Sequence, residues 1–278
     1  MSLTKDSADH SPKIVSCVNL KGGVGKTALA VNFAAYCGLR GKRTLLIDLD
    51  PQTNATFSCI KVSEWETHAK EHGTVANLFG LREHTTAEGS QKSVDEIIKK
   101  NVFKNVDLIP SHLDLFSIDL DLSGATARET RLRRAIQPIL NNYDIIVCDC
   151  PPNLTIPTQN ALTLSTHFVV PISPDFLSSL GVALLLNRIA TFSKDLEQNI
   201  ENAGIVISRV GRPANHRAET VTTLRATFKD LVFKPQISER VKVSESVSKH
   251  TPIYQMGDET SANEFRDVSK ELLKRIGL

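Results

Sequence analysis

The sequence predicts an α/β fold with a doubly wound, mainly parallel sheet flanked by helices on both faces. Short apolar runs rich in β-branched residues alternate with stretches of helical spacing, the pattern of parallel strands joined by crossover helices. The predicted strands cover 13–19, 43–49, 106–110, 144–148, 167–172, 203–208 and, weakly, 231–237. Glycines follow the first of these strands and carboxylates follow the second and fourth. Folds of this kind bind ligands at the carboxyl ends of the strands, which is where these residues lie.

Length and composition favour one large core. The chain has 278 residues, of which 41% are hydrophobic, and we expect a single domain over 13–278 behind a disordered tail at 1–12. The stretch 61–93 interrupts the alternation and is predicted to be a helical and loop insertion. Its histidines have no carboxylate or cysteine partners at metal-ligand spacing, so solvated surface positions are predicted for His68, His72 and His84.

Charge and cysteine usage exclude several classes of protein. The 33 basic and 31 acidic residues give a net charge of +2, so any nucleic-acid surface must be a local patch. No secretory leader or long apolar run occurs, which predicts a cytoplasmic protein. The thiols form no C-x-x-C pair, and we interpret them as buried and reduced at Cys17, Cys37, Cys59, Cys148 and Cys150.

The first predicted strand leads into a glycine-rich turn, Lys21–Thr27, and then into a helix over 28–37. Glycine adopts positive φ readily, so backbone N–H groups can approach phosphate oxygens, and the helix N-terminus adds partial positive charge. Lys26 is expected to reach the β- and γ-phosphates, and the Thr27 hydroxyl to bind Mg²⁺. A nucleoside triphosphate is the expected ligand. Its predicted contacts are Lys21, Gly22, Gly23, Val24, Gly25, Lys26, Thr27 and Ala28.

This turn departs from the general phosphate-loop pattern G-x-x-x-x-G-K-S/T, because Leu20 stands where the first glycine is required. Lys21 follows instead, and the segment resembles the deviant Walker A loop, K-G-G-x-G-K-S/T, of the ParA and MinD superfamily of partition ATPases. The resemblance implies that Lys21 reaches across a nucleotide-sandwiched dimer to the phosphates bound by the other subunit. Ala28 stands where relatives usually have a second threonine, so we expect weaker nucleotide affinity.

The second predicted strand ends in two carboxylates, Asp48 and Asp50, followed by Pro51. Two such aspartates alone more often cap a helix or lie in a solvated turn. Here the segment resembles the D-x-D-P-Q motif of the same superfamily. The resemblance implies that Asp50 positions the attacking water and that Asp48 supports the metal site.

The fourth predicted strand delivers Asp149 into a proline turn. Its sequence, Y-D-I-I-V-C-D-C-P-P, resembles the superfamily's Y-D-x-x-x-x-D-x-P-P. In phosphate-loop enzymes an aspartate at this place helps to hold Mg²⁺ near the loop threonine. The predicted metal site therefore comprises Thr27, Asp48 and Asp149. A helix over 128–140, which contains Pro138, is predicted just before this strand.

The segment 238–246 resembles the superfamily's P-R-N-V-R-L-S-E-A, with departures at Ser238 and Glu239. Basic side chains that meet phosphates would bind DNA without sequence preference. The candidate DNA contacts are Arg240, Lys242 and Arg217. The alternative, an ordinary solvated helix face, stays open.

The resemblance as a whole implies an ATP- and Mg²⁺-dependent hydrolase with Lys21, Lys26 and Asp50 as catalytic residues. It implies an ATP-dependent homodimer, non-specific DNA binding, a ParB-type centromere-binding or adaptor partner, and nucleoid association of the ATP-bound form in a bacterial cytoplasm. We expect no N-terminal helix-turn-helix domain. The cargo stays open between plasmid, chromosome and another assembly.

Three alternatives accompany this interpretation. A MinD-like protein would place a C-terminal amphipathic helix, here with an apolar stripe at Phe265, Val268, Leu272 and Ile276, on a membrane. The acidic residues between those positions argue against it, and we expect no stable membrane association. A nucleotide-gated regulatory module is the second alternative. A metallocluster reductase is the third, and Cys148 and Cys150 are poorly placed for it.

Overall fold

A computed structural model describes residues 11–80, 92–175, 178–211 and 215–278. Its strands form one sheet in the order β3-β4-β2-β5-β1-β6-β7. Every neighbouring pair is parallel except β3 and β4. The strands are β1 Lys13–Cys17, β2 Thr44–Asp48, β3 Lys99–Phe103, β4 Val106–Ile109, β5 Ile145–Asp149, β6 His167–Ile172 and β7 Glu201–Ile207. This arrangement confirms the predicted fold class.

Helices connect the parallel strands and cover both faces of the sheet. The α-helices are α1 Lys26–Leu39, α2 Asn54–Cys59, α3 Val62–Glu71, α4 Val75–Leu78, α5 Val94–Ile97, α6 Ile118–Asp121, α7 Arg131–Ile136, α8 Ile156–Leu164, α9 Ser178–Asp195, α10 Asn215–Phe228, α11 Val241–Ser248 and α12 Glu259–Arg275. Short 3₁₀ helices occur at Leu113–Phe116, Arg128–Thr130, Gln137–Asn142, Lys229–Leu231 and Ile253–Gln255.

The central strands are buried on both faces, which explains why they are apolar throughout instead of alternating. One face of the sheet packs against α1 and α12, where Phe33 and Phe265 belong to one apolar cluster. The other face packs against α7, α8 and α9 through Leu132, Leu162 and Leu185. These two layers fix β1, β2 and β5 side by side, so that the residues at their carboxyl ends meet.

The structure has one strand that was not predicted, and it differs from two predicted elements. Strand β3 was not predicted, because it is a polar, half-exposed edge strand without an apolar run. The weak strand at 231–237 was wrong: this segment forms an isolated bridge from Val232 to Ile205 of β7 and a further backbone hydrogen bond from Ile237 to Ile207, but Pro235 between them has no N–H for a continuous ladder. The helix at 128–140 is broken into α7 and two 3₁₀ segments, and Pro138 lies in the first turn of the second.

The insertion contains α3 and α4, and residues 81–91 lie outside the described structure. The prediction for His68 was wrong: its side chain is buried, and Nε2 lies 2.8 Å from the Ile97 carbonyl oxygen. Burial lowers its pKa. His72 is exposed as predicted, whereas His84 falls outside the described residues. In the described part of the chain, no group of three His, Cys, Asp or Glu side chains is arranged to hold a metal ion.

All five cysteines are buried and unpaired, as predicted. The apolar stripe of α12 is buried against the sheet, with Phe265, Val268, Leu272 and Ile276 each at most 1% exposed. None of the helices in the described ranges is long and apolar enough to cross a membrane. The single domain over 13–278 and the disordered tail stay predictions, since residues 1–10 are not described.

Candidate functional site

The glycine-rich turn joins β1 to α1 in a conformation that needs glycine. Gly23 and Gly25 have φ of +73° and +87°, in the left-handed region that residues with a Cβ atom rarely adopt. A Cβ atom at Gly25 would lie 3.1 Å from Ser208 Oγ, so the backbone also passes close to the end of β7. Helix α1 starts directly at Lys26, which places the loop at a helix N-terminus.

This loop forms one wall of a cavity of about 580 Å³. The opposite wall comes from α11, α12 and the segment before α11, and it mixes apolar with polar side chains. The lining residues are Gly22, Gly23, Gly25, Lys26, Thr27, Ala28, Asp50, Gln52, Asn54, Ser58, Pro152, Ser208, Arg209, Ile237, Ser238, Glu239, Arg240, Val243, Ser244, Val247 and Phe265. The volume is in the range of small-molecule sites.

The Lys26 ammonium is held inside this site. Its side chain is buried, and Nζ donates to the Lys21 carbonyl oxygen at 3.0 Å. Burial lowers the pKa of Lys26, while the carboxylates of Asp149 and Asp50 act in the opposite direction. Lys26 Nζ therefore lies against the loop backbone, and its contact with phosphates stays a prediction.

Asp48 and Asp149 are opposite each other on β2 and β5, and both are fully buried. Asp48 accepts hydrogen bonds from the Thr56 N–H and hydroxyl, each at 2.7 Å, and from the Asp50 N–H at 3.1 Å. Burial nevertheless raises the pKa of Asp48 to about 7. Its two carboxylate oxygens are thus engaged with Thr56 and with the Asp50 backbone.

Both Asp149 carboxylate oxygens are buried and make no hydrogen bond of good geometry, although the Thr27 hydroxyl is near enough to lower the Asp149 pKa. Burial raises the Asp149 pKa well above its ordinary value and the Asp48 charge raises it further, whereas Thr27 and Lys26 lower it. A cation stabilises the charged form of a buried carboxylate, and carboxylate and hydroxyl oxygens are ligands that Mg²⁺ prefers. Asp149 together with Thr27 therefore fits a magnesium site.

Asp50 lies at the cavity wall and is 7% exposed. Its Oδ1 accepts the Gln52 N–H at 2.9 Å, and its carbonyl oxygen accepts the Ser111 hydroxyl at 2.7 Å. These two contacts fix the carboxylate and the backbone of Asp50 at the cavity wall. The position suits a group that orients a water molecule.

Lys21 differs from the other loop residues, because it is not part of the cavity lining. Its side chain is 60% exposed, and Nζ lies 2.6 Å from Asp175 Oδ2, between β6 and α9. The structure therefore does not bring the Lys21 ammonium into the cavity that Lys26 and Asp50 of the same chain line.

The three predicted DNA contacts lie in different parts of the structure. Arg240 lines the nucleotide-sized cavity and pairs with Glu264 at 3.1 Å, an arrangement that the sequence did not indicate. Lys242 is exposed on α11 and pairs with Glu245 at 2.7 Å. Arg217 lies on α10, and its side chain is outside the described structure.

Sequence reasoning missed the contributions of Ser208, Arg209 and Asp175. Ser208 and Arg209 follow β7, and Asp175 follows β6 directly after Pro174, but none of the three belongs to a motif recognised in the sequence. The one available signal was their place at the carboxyl ends of parallel strands, where the ligand edge of this fold lies.

Residues 12–202 match a protein family described as AAA domain. The chain is 31% identical over 261 residues to the sporulation initiation inhibitor protein Soj of Bacillus subtilis (strain 168), covering 94% of this chain and 98% of that protein. It is 28% identical over 264 residues to the chromosome partitioning protein ParA of Myxococcus xanthus (strain DK1622), covering 95% and 88%.

A solved structure shares the fold. The cobyrinic acid a,c-diamide synthase from Mycobacterium smegmatis, with bound ATP analogue and magnesium, matches with a TM-score of 0.75 and 24% identity over 95% of this chain and 94% of that chain. At this identity the similarity shows a common architecture.

Proposed function

The chain belongs to the Soj/ParA family of partition ATPases, and we propose that it hydrolyses ATP with Mg²⁺ to position a cellular cargo. One observation carries the proposal: the glycine-rich loop, the buried Lys26 and the buried Asp149 meet at one edge of the sheet, where Lys26 and Asp149 interact. The similar fold that was solved with an ATP analogue and magnesium supports the choice of ligands.

Catalysis would rest on positioning and on charge. Loop amides and the Lys26 ammonium stabilise the charge on the transferred phosphoryl group, and Asp50 orients the attacking water. When bound between Thr27 and Asp149, Mg²⁺ would neutralise phosphate charge. Asp48 keeps Asp50 and the start of α2 in place through its three hydrogen bonds.

We further propose that ATP drives the formation of a homodimer. Lys21 is exposed and lies outside the cavity of its own chain, so a second copy is needed to bring it to the phosphates. Leu180 and Leu184 on α9 follow Asp175, the partner of Lys21, and are 71% and 47% exposed. A second copy on this face would cover them. By analogy with arginine fingers, such a trans cation can contribute about 10³ to 10⁵ in rate.

Non-specific DNA is the proposed polymer partner, and a ParB-type centromere-binding or adaptor protein is the proposed activator. Lys242 and Lys249 are exposed on and just after α11. The pair of Lys242 with Glu245 lies on the surface, where ion pairs stabilise little, so DNA phosphates can compete for the lysine. Arg240 is better assigned to the nucleotide cavity.

The membrane alternative is disfavoured by a specific observation. The apolar stripe of α12, which a membrane-binding helix would have to expose, is buried against the sheet. The regulatory-module alternative predicts nucleotide binding without turnover. The position of Asp50 at the cavity wall favours a working hydrolase.

Phosphate release from ATP tests the enzymatic proposal, with and without Mg²⁺, and with Lys26→Ala as the inactive control. We expect slow Mg²⁺-dependent release that Lys26→Ala abolishes. Binding to random-sequence DNA and to anionic vesicles, with and without ATP across a salt series, tests the partner. ATP-dependent DNA binding that weakens with salt supports partition, whereas vesicle binding alone would overturn it.

A further inference from the structure

The end of β7 holds the phosphate loop from outside the motif. The Ser208 hydroxyl donates to the Val24 carbonyl oxygen. The Arg209 guanidinium donates through Nη1 to the Gly23 carbonyl oxygen at 2.6 Å. Two consecutive carbonyl groups of the loop are therefore fixed by two consecutive residues that follow one strand.

Fixing these carbonyl groups also fixes loop N–H groups. In a planar trans peptide the C=O and the N–H point in opposite directions. The Gly23 carbonyl shares a peptide unit with the Val24 N–H, and the Val24 carbonyl shares one with the Gly25 N–H. Because β7 holds both carbonyl groups, the two N–H groups point away from β7. Successive N–H groups oriented in this way form an anion-binding concavity.

Arg209 is itself held by a second residue. Glu239 Oε1 accepts from Arg209 Nε at 3.2 Å and from Nη2 at 2.5 Å. The Arg209 backbone has φ of 51°, a left-handed conformation that a residue with a Cβ atom keeps only where its surroundings hold it. Both side chains of the pair are 48% exposed, so the ion pair alone would stabilise little. The ion pair matters because it directs the remaining guanidinium donor, Nη1, toward the Gly23 carbonyl oxygen.

Glu239 belongs to the wall of the cavity that faces the phosphate loop. The series Gly23 carbonyl, Arg209, Glu239 therefore links the loop to the segment that leads into α11. A change at either wall would be transmitted to the orientation of the loop amides.

We propose that Arg209 is a positioning residue for the phosphate loop and that Glu239 orients its guanidinium. This inference rests on the proposed nucleotide binding at the same site. Arg209 preorganises the loop amides before the phosphates arrive, so its loss weakens nucleotide binding without removing any group of the recognised motif.

Equilibrium binding of a fluorescent ATP analogue with Mg²⁺ to the full chain tests the inference. Arg209→Met keeps the length of the side chain and removes the donors, and we expect about tenfold weaker binding from the lost charge-assisted hydrogen bond. Arg209→Lys keeps one cationic donor and should recover part of the affinity. A merely structural arginine would show no such recovery.

Glu239→Gln tests the same link at an exposed side chain, independently of whether Arg209→Met folds. We expect a few-fold loss alone and no further loss in the Arg209→Met background, because coupled residues are not additive. Arg225→Met is the matched control, since Arg225 also donates to backbone carbonyls, at Phe233 and Lys234, but lies outside the cavity lining. It should bind as the wild type does.

Wild-type affinity in Arg209→Met, or additive losses in the double variant, would overturn the inference while leaving nucleotide binding intact. If the wild-type chain binds no more nucleotide than Lys26→Ala does, the proposed function is overturned, and this inference with it. The two failures are thus distinguishable by the wild-type measurement alone.

Discussion

Lys21 Nζ lies 2.6 Å from Asp175 Oδ2 of its own chain. The lysine expected to serve a second subunit is thus paired in cis, on the surface, next to the start of α9. For Lys21 to reach the phosphates of another copy, this pair must open. The cis contact therefore competes with the proposed dimer.

Removing the cis partner should favour the dimer. Because an exposed ion pair is worth about 0.2 to 1 kcal/mol, Asp175→Asn is expected to tighten ATP-dependent dimerisation by up to about fivefold. Light scattering after size-exclusion chromatography, over a range of protein concentrations, measures the effect. Asp267→Asn is the control, since it removes another exposed lysine partner, that of Lys270 on α12. Weaker dimerisation in Asp175→Asn would contradict the competition.

Asp50 can be tested without disturbing the fold. Asp50→Asn keeps the side-chain volume and an oxygen for the Gln52 N–H, but an amide cannot accept a proton from the attacking water. We expect ATP turnover to fall by about 10²- to 10⁴-fold while ATP-dependent dimerisation persists. Single-turnover phosphate release and light scattering separate the two properties. Normal hydrolysis in this variant would remove Asp50 from the water-positioning role.

Asp149 should oppose stability in the absence of ligands. Its carboxyl group is fully buried beside that of Asp48, so Asp149→Asn is expected to raise the free energy of unfolding of the nucleotide-free chain by about 1 to 3 kcal/mol. The same variant should lose the extra stability that Mg²⁺ adds in the presence of ATP. Urea unfolding with and without Mg²⁺ and ATP measures both effects. A destabilised apo variant that still responds fully to Mg²⁺ would refute the metal assignment.

The raised pKa of Asp48 predicts a pH dependence of stability. Burial raises it to about 7 in the native state, against about 3.9 in an unfolded chain, so the native state holds the proton more tightly. The stabilising effect of this proton is present below about pH 4 and is lost as the pH rises to about 7. The nucleotide-free chain should therefore lose stability over that range relative to Asp48→Asn. Unfolding curves of both proteins across the range test this, and an identical pH dependence would exclude Asp48 as the titrating group.

Much of the fold could be predicted from the sequence, because the central strands β1, β2, β5 and β6 are buried on both faces and therefore read as continuous apolar runs. Strand β3 was missed because an edge strand has one exposed side and a polar sequence. His68 was predicted to be solvated for lack of any local signal of burial. Its partner is the Ile97 carbonyl, 29 residues away.

The sequence by itself determined the phosphate loop and the carboxylates at the ends of β2 and β5, since those chemistries depend on residue type at fixed local spacing. The tertiary structure alone decided which residues support the loop. Arg209 and Gly23 are 186 residues apart. They meet because the sheet order β1-β6-β7 places the end of β7 near the loop that follows β1. The pairing of Lys21 with Asp175 across 154 residues has the same origin. Contacts between strand ends follow from topology, which local spacing does not encode.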